Sequence, residues 1–145
     1  MRLWWKNMDL LIDTNIIIDI LQDRKPFVQN SEAIVRMVQT KEVRGILAPH
    51  TITNLWYILR KTHTQKQRRR LLSALLVSFD VSPLDRQKLL NGLERTDFPD
   101  FEVCLQDECA ASLCADYIIT RTPEDFAKSK VRAITPEEFL KLQSA

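Results

Sequence analysis

Apolar residues along this chain fall into short unbroken runs that alternate with longer stretches of helical period. Met8–Asp13 predicts a brief strand covered on both faces, because its apolar residues do not alternate with polar ones. Asn15–Asp23 follows with Ile16, Ile17, Ile20 and Leu21 on one helical face, and Pro26 stops that helix. Ser31–Thr40 predicts a second helix with Ala33, Ile34, Met37 and Val38 inward. Val43–Ala48 is a second strand. In Thr51–Thr62, Ile52, Leu55, Trp56 and Leu59 fall at i, i+3, i+4 and i+7, the spacing of one helix face. Lys66–Val77 repeats that period through Leu71, Leu72, Leu75 and Leu76. Ser78–Val81 predicts a third strand and Leu84–Leu93 the helix after it.

The last third continues the alternation. Asp100–Cys114 is helical, Asp116–Thr120 a fourth strand and Thr122–Phe126 a helical turn. Val131–Ile134 is a fifth strand and Thr135–Leu142 a closing helix. Thr135 caps that helix, Pro136 takes its first position, and Glu138 reaches back to the cap. Strands alternating with helices predict a three-layer α/β/α sandwich with a central parallel sheet of about five strands. The 145 residues fit a single domain over 1–145. Residues 1–7, ahead of Met8, read as an N-terminal extension, with Trp4 and Trp5 on the surface or mobile.

Composition narrows the chemistry. Two glycines exclude a glycine-rich phosphate loop. A net charge of +2 means that any nucleic-acid binding must come from a local patch. No apolar run approaches the roughly 18 residues that cross a bilayer. Asp9 and Asp13 interrupt the apolar start, against a secretion signal. Cys104, Cys109 and Cys114 have no nearby histidine and read as reduced, buried small hydrophobes of a cytoplasmic protein.

In an open parallel sheet, ligands bind beyond the carboxyl ends of the strands. Asp13 ends the first strand there. Thr120 and Arg121 end the fourth, with Thr122 and Asp125 just beyond. His50, Thr51, Thr53 and Asn54 lie at a helix start on the same rim, as does the turn with Asp97, Asp100 and Glu102. These segments bring mostly oxygen donors to one edge, and oxygen donors suit hard cations such as Mg²⁺ or Mn²⁺. Metal-assisted phosphodiester hydrolysis is the chemistry natural to such a site.

The ordered segments "LIDTNIIID", "HTITNLWYILRK", "DFPDFEVCLQ", "YIITRTPEDF" and "ITPEEFL" resemble the PIN-domain family from Met8 to about Leu142. The resemblance is closest to a bacterial subgroup that often has asparagine in place of the second acidic residue. It implies a small Mg²⁺- or Mn²⁺-dependent ribonuclease, including toxin components of toxin–antitoxin pairs. Carried over by position, Asp13 and Asp125 match the family's acids. Asn54 stands where many members have glutamate. Val103 stands where aspartate is usual, and a valine gives a metal nothing. On a helix, Asp100 and Asp107 share a face with position 103. Asp100, nearer the rim, is the expected substitute.

Each of these residues has a structural alternative. Asp13 could cap the helix near Asn15, although its place at the end of a buried strand favours the site. Asp125 is the fourth residue of a capping-box-like start at Thr122. Asn54 belongs either to a helix start at Thr51 or to the pocket. Thr14, Asn15 and Thr120 are expected to support the site from behind or to cap. Asp19 is expected on an exposed helix face. His50 and His63 read as a helix-start and a surface residue. The run "RKTHTQKQRRR" is either a solvated helix junction or a phosphate-contacting patch, with Arg68, Arg69 and Arg121 as candidate RNA contacts.

The expected function is metal-dependent hydrolysis of RNA. Asp13, Asp125 and Asp100 would hold the metal, with Asn54 assisting. The alternative is a catalytically degenerate domain that binds RNA or a protein, and Val103 is the residue that favours it. Expected partners are RNA, an antitoxin-like protein and a second copy of the chain, with no membrane.

Overall fold

A computed structural model of the chain describes residues 5–144. The elements run in the predicted order. They are β1 (Asp9–Ile12), α1 (Thr14–Leu21), α2 (Val28–Gln39), β2 (Arg44–Leu47), α3 (Pro49–Ile58), α4 (Gln65–Ser78) and β3 (Asp80–Val81). Then come α5 (Arg86–Glu94), α6 (Phe101–Ser112), β4 (Tyr117–Ile119), β5 (Ala133–Ile134) and α7 (Pro136–Gln143). Short 3-10 turns cover Leu59–Lys61 and Pro123–Phe126. The five strands form one parallel sheet in the order β3-β2-β1-β4-β5. The fold is the expected three-layer α/β/α sandwich.

The sheet separates two cores because successive strand side chains point to opposite faces. Leu10, Ile12, Leu47 and Ile119 enter the larger core, beneath α1, α2, α3, α4 and α7. Leu11, Ile46 and Ile118 enter the smaller one with Cys109 and Ala110 of α6. The chain steps from β1 outward to β3, then crosses to β4 on the other side of β1. The strand order therefore reverses at the β1/β4 boundary. Such a reversal opens a crevice at the strands' carboxyl ends.

Local chemistry fixes the element ends. Thr135 and Glu138 form the predicted capping box of α7, with Pro136 in its first turn. Thr64 and Gln67 form a second one at α4. Gly45 lets β2 lie close under the larger core. A Cβ there would stand 2.7 Å from the Phe79 ring and 2.8 Å from Val38.

Four expectations about placement change. Trp5 is buried in the larger core rather than at the surface; Trp4 lies outside the described residues. Cys104 and Cys109 are buried, but Cys114 is exposed, in a left-handed turn (φ 52°) after α6 has ended. Asp19 is completely buried, not solvent-facing, because Arg121 and Arg24 supply counter-charges inside the fold. Arg68 also turns inward. Its Nη1 donates to the Trp56 carbonyl at 2.9 Å and its guanidinium stacks on the Trp56 ring.

A buried ionic network anchors the far side of α6. Asp107 accepts from Arg95 Nη2 at 2.7 Å and from the amides of Lys130 and Val131. Glu108 accepts from Arg95 Nη1 at 3.0 Å and from Lys130 Nζ at 3.2 Å. Burial pushes the Glu108 carboxyl up, but Lys130 and Arg95 outweigh it and hold it below the ordinary glutamate value.

Two stability predictions follow from this packing. Gly45→Ala should destabilise the domain by about 1–3 kcal/mol through overpacking, measured by urea denaturation. Glu108 titrates lower folded than unfolded, so its stabilisation is present above an ordinary pKa of about 4.3 and fades as pH falls through the folded value. Glu108→Gln should therefore flatten the acid limb of a stability–pH curve. An unchanged slope would show that Glu108 contributes nothing to acid sensitivity.

Candidate metal centre at the sheet rim

The reversal of strand order places Asp13 and Thr120 side by side. The Asp13 amide donates to the Ile119 carbonyl at 2.9 Å, extending the β1–β4 ladder by one step. Thr120 Oγ1 donates to Asp13 Oδ2 at 2.7 Å. From α6, Gln106 Nε2 donates to Asp13 Oδ1 at 2.9 Å. All three residues are buried. Asp13 occupies the N-cap position of α1, yet its side chain makes no cap bond to that helix. Its carboxylate is thus turned to the rim and held by two donors.

Burial is the strongest influence on Asp13 and raises its pKa. The hydrogen bonds from Gln106 and Thr120, with the polar backbone N–H of Thr14 nearby, oppose that rise, and the nearby charge of Asp125 adds to it. Asp125 sits half-buried in the 3-10 turn after β4. Thr122 makes no side-chain cap bond there. The capping-box alternative is therefore not formed. Instead Thr122 Oγ1 lies 3.4 Å from Thr120 Oγ1.

Neighbouring residues hold the frame. Thr14 and Thr51 join α1 to α3 through a 2.8 Å hydroxyl contact. Asn15 Oδ1 accepts from the Arg121 amide at 3.4 Å, tying α1 to the end of β4. Asn54 lies in the second turn of α3, since that helix begins at Pro49 rather than Thr51. Its Nδ2 donates to Glu102 Oε2 at 3.1 Å. His50 is half-buried on the same helix, and neither ring nitrogen has a hydrogen-bond partner. Burial lowers its pKa, while Glu102, Asp13 and Asp100 pull the other way by their charge.

The substitutes for the missing acid at 103 divide. Asp107 is consumed by Arg95 and the Lys130 and Val131 amides, away from Asp13. Asp100 caps α6, accepting from the Glu102 amide at 2.8 Å, and stays exposed. Val103 itself is half-buried against the smaller core. The side chain of α6 that meets Asp13 is Gln106, one turn beyond Val103. Sequence reasoning assigned Gln106 no role, although its i+3 spacing from position 103 was the available signal. Glu102 and His50 likewise gain significance only from their neighbours. Of the candidate RNA contacts, Arg68 is bound to Trp56, Arg121 pairs with Asp19, and Arg69 remains exposed.

These donors decide what could bind. Among the described residues, no three Asp, Glu, His or Cys side chains converge closely enough to enclose a metal. A closed cage of the structural zinc type is thus excluded there. Mg²⁺ needs less: one or two carboxylates, with water completing its shell. Asp13 and Asp125 offer that sparse set. Each Asp13 oxygen accepts one hydrogen bond and keeps a lone pair. Gln106 Oε1 is buried beside it without a partner. The site fits a water-rich hard cation.

Gln106→Leu removes a donor that orients Asp13, and should weaken Mn²⁺ binding by about 10–100-fold, read by calorimetry. Asp13→Asn should weaken it more while raising the melting temperature without metal. An ionised Asp13 is disfavoured by burial, so neutralising it relieves a native-state penalty. A lower melting temperature would contradict that assignment.

Residues 9–122 match the profile of the PIN domain family. No curated protein matches the chain in sequence. Among solved structures, VapBC-1 from nontypeable Haemophilus influenzae is similar with a TM-score of 0.66 at 19% identity, over 90% of this chain and 99% of that one. A toxin–antitoxin complex from Klebsiella pneumoniae is similar with a TM-score of 0.66 at 20% identity, over 88% and 97%. VapC20 from Mycobacterium tuberculosis, a sarcin-ricin loop cleaving toxin, is similar with a TM-score of 0.60 at 11% identity, over 75% and 86%. At such identities these likenesses carry the fold alone. The family profile spans most of the chain, from β1 through β4 to the residues that frame Asp13, and the chain belongs to the PIN-domain family.

Proposed function

We propose that this protein is a Mg²⁺- or Mn²⁺-dependent ribonuclease of the toxin type, cutting RNA phosphodiester bonds at the β1/β4 rim. The observation that carries the reading is Asp13, a buried carboxylate held by Gln106 and Thr120 with Asp125 beside it. Asp13 and Asp125 would hold the cation, with the exposed Asp100 and half-buried Asn54 assisting through water. When bound, the cation would polarise the phosphate and bring water toward a neutral pKa.

The chain's own residues do the positioning. Thr120 and Gln106 fix the Asp13 carboxylate, so no reorganisation accompanies charge development. Asn15 and Thr14 hold the turn that presents it. The exposed Arg69, with Lys61, Lys66 and Arg70 nearby in sequence, would offset the repulsion between an acidic rim and RNA. Burial lowers the pKa of His50 and so disfavours a positive charge on its ring, against the pull of Glu102, Asp13 and Asp100.

A protein partner of the antitoxin kind belongs to the same proposal, since the similar structures include toxin–antitoxin complexes. An apolar cleft between α1, α2 and α4, lined by Ile17, Ile20, Leu21, Val35 and Leu75, offers it a docking face. Homodimerisation and a cytoplasmic location complete the proposal. Among the described residues no helix is long and apolar enough to cross a membrane.

Val103 favours a second reading, in which the domain binds RNA or protein without cleaving. One assay separates the two. The protein is incubated with mixed RNA and Mn²⁺ beside Asp13→Asn and Val103→Asp variants. Cleavage by the parent, lost about a hundredfold or more in Asp13→Asn, supports the nuclease; removing one transition-state electrostatic partner typically costs about that much. A silent parent, with cleavage only in Val103→Asp, supports the binding module.

A further inference from the structure

From Val43 to Phe79 the chain has no aspartate or glutamate, and six arginines and lysines fall between Arg60 and Arg70. The whole chain carries +2, so everything outside that run sums to −4 (2 − 6). Among the described residues none of the six forms an ion pair. Arg68 is buried, whereas Arg60, Lys61, Lys66, Arg69 and Arg70 are exposed where α3 gives way to α4. Exposed cations with no acid beside them attract polyanions, and salt screens that attraction.

Two aromatic rings are set among these charges. Trp56 is half-buried against the larger core, with the Arg68 and Arg69 guanidiniums 4.1 Å and 5.5 Å from its ring centroid. Tyr57, the next residue, faces solvent and is 62% exposed. Arg60 is held against it. Arg60 Nη1 donates to the Tyr57 carbonyl at 2.7 Å, and its guanidinium lies 3.6 Å from the ring centroid. The pair is a cation–π stack with most of the tyrosine still open. Tyr57 follows Asn54 by three residues on α3, so the two share a helix face, about 4.5 Å apart along the axis. The open ring therefore stands roughly one turn from the candidate metal centre's own asparagine.

From this arrangement we infer that Tyr57, backed by Arg60, is a stacking site for an unpaired nucleobase, lying outside the metal centre, with the flanking phosphates on the exposed basic run. Aromatic rings and guanidinium planes take any base by its face, whereas bases inside a duplex are already stacked on each other. Phosphates supply the negative charge that the run lacks. An acidic peptide would engage the same cations but leave the ring idle. The site rests on the reading of RNA as the substrate. It adds a second hold on the strand, one that grips without reading sequence.

The test is binding without cleavage. A fluorescein-labelled adenosine decamer, its duplex with the uridine decamer and an abasic ribose-phosphate decamer are titrated with the whole protein in EDTA, reading anisotropy. The single-stranded adenosine decamer should bind tightest of the three. Tyr57→Leu should weaken it about tenfold, within the range of one base–aromatic stack, and leave the abasic decamer unchanged. Tyr57→Phe, which keeps the ring, should keep the parental affinity. A 2-aminopurine at the centre of the decamer should be quenched by the parent and by Tyr57→Phe, and not by Tyr57→Leu. Lys66→Gln should instead lower the slope of log affinity against log salt by about 0.7 for single strand and abasic chain alike. The Tyr57 side chain is exposed, so a melting temperature equal to the parent's is expected of both Tyr57 variants. No loss in Tyr57→Leu, or an equal loss for the adenosine and abasic decamers, overturns the stack. Displacement of the decamer by polyglutamate together with indifference to Tyr57→Leu also overturns it, and makes the run a docking face for an acidic protein. Because EDTA removes the metal, failure here leaves the cleavage assay untouched. A Tyr57-dependent stack without Mn²⁺-dependent cleavage keeps the site and removes the nuclease.

Discussion

A parallel sheet covered on both faces leaves few places where charged side chains can work. Its strands are buried along their length, and helices close both surfaces. Function is pushed to the rim, and the reversal of strand order chooses the position along it. In this chain Asp13 meets that constraint at the end of the central strand. Its burial penalises charge, and Gln106 and Thr120 return part of that penalty as hydrogen bonds. Thr14 and Asn15 brace its turn, and the negative charge of Asp125 adds to the cost of its ionisation.

Helix α6 carries two separate tasks. One face delivers Gln106 to Asp13. Another locks Asp107 and Glu108 to Arg95 and Lys130. The acids that look like spare metal ligands from spacing alone are thereby sorted. Asp107 is structural, Asp100 caps the helix, and Glu102 meets Asn54. Removing one partner from a buried pair such as Arg95–Asp107 typically costs several kcal/mol, so this face has little freedom to contribute chemistry.

The architecture was legible because its signals are local. Apolar runs marked the strands, i+3/i+4 spacing marked the helices, and Thr135-Pro136-Glu137-Glu138 wrote out its own cap. Asp13 was legible for the same reason, as a charge directly after a buried run. The failures share a cause in long-range pairing. Asp19 looked solvent-facing because the nearer of its two counter-charges in space, Arg121, is 102 positions away in sequence (121 − 19). Arg68 belonged to a basic run, yet Trp56 takes it inward. Gln106 is a neutral residue on a polar stretch, and nothing nearby in sequence announces its contact with Asp13, 93 residues distant.

The independent anchoring of α6 has an evolutionary consequence. Its place in the fold is secured by Arg95 and Lys130, on residues that do not touch the rim. Position 103 can therefore exchange an acid for a valine without dislodging the helix that carries it. Loss and recovery of that acid become single-step changes on an unchanged scaffold. On the ribonuclease reading proposed above, a lineage built this way can drift between cutting and holding a ligand, with the fold acting as a reversible store of that activity rather than a casualty of its loss.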